Sequence, residues 1–144
     1  MLSVSTEHDN VEFARRLEAA TRRRFEDSAS RGFAISQDRV PVDRGTLLQS
    51  GFPPRWVDGE LVWGYAADHA RTQEFGRDPY QPRLEPLLEW SRRVTGGEEL
   101  GRYVALEKHP TEGMEGHGYA QAGADAQQRY LEQYRLGEYL EDVD

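Results

Sequence analysis

The stretch Val40–Gly76 constrains this chain more than any other. At its centre Asp58-Gly59 stands between two short runs of alternating apolar residues, the pattern of a two-residue hairpin turn. A tight turn there sets Val57 opposite Glu60, Trp56 opposite Leu61, Pro54 opposite Trp63 and Phe52 opposite Tyr65. Opposed residues share a sheet face. Phe52, Pro54, Trp56, Leu61, Trp63 and Tyr65 therefore fall on one side, and Arg55, Val57, Glu60, Val62 and Gly64 on the other. A slip of one residue exchanges the two sets. So large an aromatic area reads first as the core side of the hairpin and only second as a ligand platform. The expected hairpin core is Phe52, Trp56, Leu61, Trp63 and Tyr65, with Leu17 and Phe25 packed over it.

One hairpin is marginal in water, so a third strand is expected from Phe33–Val42 or from a neighbouring subunit. A chain of 144 residues is long enough for one modest core. Its mean hydropathy of -0.84 is low, yet Trp, Tyr and Phe make up 10% of it, which argues for a folded centre with polar extensions. Acidic residues number 26 against 18 basic ones, for a net charge of -8, and Lys108 is the only lysine. That balance opposes nonspecific binding of nucleic acid. A salt-loving host or a GC-rich genome would each produce such an Arg-rich, Lys-poor chain. There is no cysteine, so neither disulfides nor thiolate chemistry is expected. No apolar run has the length of a membrane span, and the opening MLSVSTEHD lacks the pattern of a secretory signal.

Taken in order, Asp9 and Glu12 form a helix-start signature. Val11, Ala14, Leu17, Thr21, Phe25 and Ser28 then recur at helical spacing, up to a stop at Gly32. This predicts a helix over about 10–31. Its opposite face carries Arg15, Arg16, Arg22, Arg23 and Arg24 among acids, with Glu12–Arg16 and Glu18–Arg22 in the favourable i,i+4 order, and reads as solvated and salt-bridged rather than phosphate-binding. Phe33–Arg39 reads as a connector. Asp43 reads as the cap of a short helix carrying Leu47 and Leu48 and ended by Gly51. Ala66–Glu74 is a loop or a helical turn. A helix over about 86–95 starts with Pro86 in its first position and ends at Gly96-Gly97. Another over about 98–109 is stopped by Pro110. Thr111–Gly118 reads as a mobile glycine-rich loop, 125–140 as a last helix and 141–144 as a disordered acidic tail. The expected fold is α+β, a single domain over 1–140: a long N-terminal helix on a small antiparallel sheet around the hairpin region 40–76, followed by C-terminal helices.

Two motifs flank the hairpin. The first is Pro41-Val42-Asp43-Arg44-Gly45-Thr46-Leu47-Leu48-Gln49-Ser50, and the second is His69-Ala70-Arg71-Thr72-Gln73-Glu74-Phe75-Gly76. Together they resemble the tail-completion, or neck, proteins of long-tailed double-stranded DNA phages and archaeal viruses. That family shows a P-V-D-T-G-x-L-x-x-S-like start and a Y-A-x-x-x-E-F-G-like end, so Arg44 and His69 depart from its pattern. The resemblance covers about half the chain well, and extends loosely to Pro86–Trp90 and Gly113–Tyr119. It implies a virion protein at the head-tail junction, made in the host cytoplasm, forming a ring of about six copies. The implied partners are other copies of itself, a head-side connector, and a tail terminator or tail-tube protein. Packaged DNA would pass through an acidic lumen without specific binding, and neither membrane nor cofactor is implied. Asp43, Gly45, Leu47, Glu74, Phe75 and Gly76 are the positions carried over as ring-forming or partner-facing. A tail terminator or another minor ring protein is the nearest alternative.

An enzyme reading rests on His109, Glu112, Glu115 and His117, four possible metal ligands within nine residues. Imidazole and carboxylate can hold zinc and activate water, which would make a small metal-dependent hydrolase. The spacing matches no helical ligand pair, and His109 is explained more simply as a cation at a helix C-terminus. Ser50 lacks a nucleophile-elbow setting, and Gly96-Gly97 lacks the rest of a phosphate-binding loop. A non-enzymatic assembly protein without catalytic or metal residues is the expectation.

Overall fold

The structure, a computed structural model, describes residues 2–141, with side chains from Asn10 onward. The expected Asp9 cap and residues 142–144 of the acidic tail lie outside what it describes. The fold is α+β, as expected: a long N-terminal helix, a small antiparallel hairpin, then C-terminal helices. The chain gathers into two compact units. The first holds the N-terminal helix through Asp38, the hairpin between Phe52 and Gly64, and the helices from Ala120 onward. The second holds Arg39–Gly51 and Tyr65–Tyr119.

In the first unit, helix α1 (Leu2–Arg39) runs through Gly32 and on over Phe33–Arg39, where a stop and a connector were expected. The glycine is there for closeness. A Cβ on Gly32 would sit 2.7 Å from the Gly123 carbonyl oxygen, and one on Gly123 would sit 2.5 Å from the Gly32 carbonyl oxygen. The buried face of α1 accordingly consists of small residues, Ala20, Ser28, Ala29, Gly32 and Ser36. Large residues of the expected stripe lie outside it, with Val11 and Phe25 exposed.

The hairpin consists of β1 (Gly51–Val57) and β2 (Glu60–Tyr65). Asp58 and Gly59 between them have φ of 50° and 82°, the left-handed pair that a type I′ turn requires and glycine permits. Along β1 the expected face is the less exposed one, whereas β2 is half-buried from Leu61 to Tyr65 without alternation. Away from the turn the expected pairing changes. The Phe52 ring lies over Gly64, 3.2 Å from where a Cβ would be, and the Ala66 amide donates to the Ser50 carbonyl at 3.1 Å, one residue out of step with the turn. Pro53-Pro54 lies just there and supplies no amide donor to the ladder.

No third strand joins this sheet among the described residues. Helices hold it instead, through its two tryptophans. Trp56 Nε1 donates to Glu26 at 2.7 Å, with the Arg22 guanidinium over its ring at 4.5 Å. Trp63 meets Phe33 edge-on at 6.0 Å and donates to Gln127 at 3.1 Å. Glu26 and Phe33 share the face of α1 that meets the tryptophans, and Phe25, roughly 90° around the helix from both, is exposed.

The last helix is two, α7 (Tyr119–Gln133) and α8 (Leu136–Glu141). Arg24 donates to the Leu131 carbonyl at 2.6 Å and the Tyr134 carbonyl at 2.8 Å, meeting acceptors that the end of α7 leaves open. Arg16 reaches the Leu140 carbonyl at 3.3 Å. The arginine face of α1 thus carries helix-end clamps as well as solvated charge. Tyr139, 7% exposed, donates to Asp27 at 2.7 Å and meets the Tyr130 hydroxyl. Burial, together with these bonds, holds its phenol well above the ordinary range.

In the second unit, helix α2 (Thr46–Gln49) follows Gly45, whose φ of 78° starts it without a side-chain cap. Helix α3 (Ala70–Phe75) leads into strand β3 (Gly76–Arg77). Helix α4 (Leu84–Thr95) ends on Gly96 at φ 81°, and Pro86 is its third residue, still in the turn where amides have no intrahelical acceptor. Helix α5 (Glu99–Tyr103) widens into a π-helical turn (Val104–Lys108) and resumes as α6 (His109–Glu112). The expected stop at Pro110 therefore fails. The widened turn lies just where the ring would clash with the carbonyl four residues earlier.

The segment expected to be a mobile loop is a strand, β4 (Met114–Glu115), antiparallel to β3 with Gly76 opposite Glu115 and Arg77 opposite Met114. His117 and Gly118 continue the contact, their amides donating to the Gln73 and Glu74 carbonyls at 2.8 and 3.1 Å. The largest fully buried side chain is Tyr119, whose hydroxyl donates to the Ala70 carbonyl at 2.6 Å and whose ring meets Tyr65 edge-on at 5.0 Å.

Candidate functional site

The second unit contains a half-open cavity of about 770 Å³, within the size range of ligand and peptide-anchor pockets. Four stretches build it. The segment Pro41–Leu47 forms one side, and α4 supplies Trp90 and Arg93. The π-turn and α6 supply Val104, Lys108 and His109, and the strand after them supplies Met114, Glu115 and His117. His69, just before α3, and Gln73 within it complete the wall, linked by a hydrogen bond of 3.0 Å from the Gln73 amide to the His69 carbonyl.

Charges on this wall are mostly tied to each other. Asp43, expected to cap α2, is instead held by Arg93, whose Nε donates to Oδ1 at 3.2 Å while Nη2 meets Oδ2. That hydrogen-bonded pair keeps the Asp43 carboxyl below its ordinary range. Arg44 lies 3.6 Å from Glu89 with both side chains largely exposed, an ion pair worth about 0–1 kcal/mol. Lys108 and Glu115 form no ion pair among the described residues. His109 is held below the usual imidazole range, first by burial and then by the Lys108 charge beside it. Its Nδ1 shares a hydrogen bond of 3.0 Å with the Tyr80 hydroxyl.

The residues singled out from sequence separate clearly here. Asp43, Gly45 and Leu47 of the first motif line the cavity together with His109, Glu115 and His117 of the supposed metal loop. Leu47 is 4% exposed, with what remains open lying on the cavity wall, and Glu74 is 8% exposed. Gly76, at φ 77°, has the Met114 carbonyl oxygen 2.2 Å from its Cβ position, and serves the β3–β4 pairing. Phe75 lies between these two fixed neighbours and is 74% exposed. Among the hairpin residues, Phe52, Trp56, Leu61, Trp63 and Tyr65 are each half-buried.

The histidines and glutamates of the metal reading do not converge: among the described residues no three His, Asp or Glu side chains are placed to hold a metal ion. The cavity lining combines apolar side chains, among them Leu47, Leu87, Trp90 and Met114, with charged ones. His69, Trp90, Arg93 and Lys108 were not foreseen as site residues. Arg93 meets Asp43 across fifty positions of chain, and no local pattern reports such a pairing. Among the described residues no helix is long and apolar enough to cross a membrane.

The chain matches no protein-family profile, no curated protein and no solved structure.

Proposed function

We propose that this protein is a structural subunit of a viral head-tail neck. It assembles as a ring around the DNA channel and joins the head-side connector to the tail. The observation that carries the reading is Phe75: a large aromatic side chain kept in water by a backbone pinned on both sides. Exposed aromatics on rigid elements suit interfaces, where they bury large area with little loss of conformational entropy. The two flanking motifs, through which the chain resembles neck proteins, both contribute to the unit that presents Phe75. A net charge of -8 suits a wall past which DNA slides without adhering.

The test is quantitative mass spectrometry on purified particles of the virus whose genome encodes the chain, with the portal and tail-tube proteins as internal standards. One ring per particle, on the order of six copies, is the expected result. Tens or hundreds of copies would move the protein to the capsid or the tube, and absence from the particle would refute the reading.

A further inference from the structure

The second unit carries a projection and a recess on opposite sides of one short helix. Gln73 of α3 and His69 just before it line the cavity. Phe75 is two residues beyond Gln73, about 200° around a helix, and shares its outward face with the exposed Arg71 four residues earlier. A molecule with a plug on one side and a socket on the other cannot fill its own socket. It can fill that of a second copy, and the contact so made is heterologous, closing into a ring when the rotation permits.

We propose that Phe75 of one copy inserts into the cavity of the next, among Leu47, Leu87, Trp90 and Met114, and that this contact builds the ring. The inference rests on the ring reading above and names the contact that makes it. Charge supports this occupant over others. Once Asp43 is paired with Arg93 and Arg44 with Glu89, Lys108 and Glu115 are the lining Lys, Arg, Asp or Glu side chains without an ion pair among the described residues. The plug brings the reciprocal pair. Arg71 and Asp78 flank Phe75 in the chain, both are exposed, and neither is in an ion pair among the described residues. Arg71 meets Glu115 and Asp78 meets Lys108 when the ring enters, so the rim of the contact neutralises itself. Such complementarity fixes register and excludes wrong partners more than it adds affinity.

The absence of cysteine makes the test specific. Two full-length variants, Phe75→Cys and Met114→Cys, are kept reduced and then treated with the same mild oxidant, each alone and as an equimolar mixture. A disulfide-linked dimer of the two chains is expected in the mixture and in neither solution alone. No cross-link in the mixture overturns the proposal. In sedimentation velocity, Phe75→Glu weakens self-association at least tenfold without lowering the melting temperature, because the side chain is exposed in the monomer. Lys108→Glu weakens association, and adding Asp78→Lys restores it. Rings that persist in Phe75→Glu overturn the plug and leave the neck reading standing. Open head-to-tail chains support the plug and count against a closed ring. A wild-type chain that stays monomeric at every concentration overturns the plug, and the copy number in particles then decides the neck reading alone.

Discussion

Gly123→Ala tests the close crossing of α1 and α7. A Cβ there would lie 2.5 Å from the Gly32 carbonyl oxygen, 2.6 Å from Trp63 Cη2 and 2.9 Å from Ser36 Cβ. Comfortable carbon contacts begin near about 3.5 Å, so all three neighbours must retreat. None does so freely. The oxygen belongs to the backbone of a 38-residue helix, and Trp63 is held by Gln127 and Phe33. Overpacking of this kind costs about 1–3 kcal/mol, occasionally more. With three neighbours displaced the upper part of that range applies, about 2–3 kcal/mol, and since alanine regains about 0.8–1.0 kcal/mol over glycine in a helix interior, a net loss of about 1–2 kcal/mol remains. For a chain of this size that is a fall in Tm of about 2–8 °C. Gly137→Ala is the control, since it lies in α8 with nothing within 4 Å of its Cβ position, and gains up to about 1 kcal/mol. Urea unfolding followed by tryptophan fluorescence, with an unchanged m-value, reads both. The two substitutions must move the midpoint in opposite directions. If Gly123→Ala is as stable as wild type, α1 and α7 do not cross as closely as described.

Three further outcomes follow from other contacts. Arg24→Met removes two bonds to the end of α7 and costs about 1–2 kcal/mol, whereas Arg23→Met at the exposed neighbouring position changes stability by less than about 0.5 kcal/mol in the same melts. The Tyr119 phenol is pushed up to about 12, by burial first and the nearby Glu74 charge second. In the unfolded chain it ionises near about 10, so the native state holds the proton longer. Its contribution to stability is intact below pH ~10 and is lost as pH rises through the window up to the native value. Denaturant midpoints between pH 9 and 12 should fall less steeply for Tyr119→Phe. Asp43 is depressed by its bond from Arg93, so its contribution is present above about pH 4 and is lost as pH falls through the native value. Carbon-detected NMR should show the Asp43 carboxyl titrating below the ordinary range in wild type and returning to it in Arg93→Gln.

What the sequence revealed was what short-range chemistry decides. Asp58-Gly59 dictated both left-handed turn residues, and Gly96 closed α4 where expected, because a positive φ is a local demand that few residues meet. The errors came where glycine and proline were taken as punctuation. Gly32 and Gly123 sit inside helices because another backbone comes near them, and a pairing over 91 positions has no local signature. Pro110 read as a stop because an α-helix cannot carry it there, but a π-turn can. Thr111–Gly118 read as mobile from its glycines. Gly113 and Gly116 are instead where a strand presses on its neighbour, with Arg77 and Glu74 carbonyl oxygens 2.2 and 2.5 Å from their Cβ positions. The α1 stripe was misjudged because large apolar residues were counted as its buried side, whereas a close helix crossing selects small ones.

The same reasoning explains why the candidate site was legible only in pieces. Asp43, Gly45 and Leu47 were marked by one motif, and His109, Glu115 and His117 by their ligand chemistry, as two unrelated hypotheses. The fold brings them to a single cavity wall. Within the second motif each residue has a different task. Gln73 faces the recess, Glu74 is buried, Gly76 accepts the crossing strand, and Phe75 is turned outward together with Arg71. A residue whose neighbours are fixed by internal contacts keeps its orientation without a partner, so little entropy remains to be lost when one arrives. That is the property a subunit needs if it is to meet identical copies of itself in one geometry.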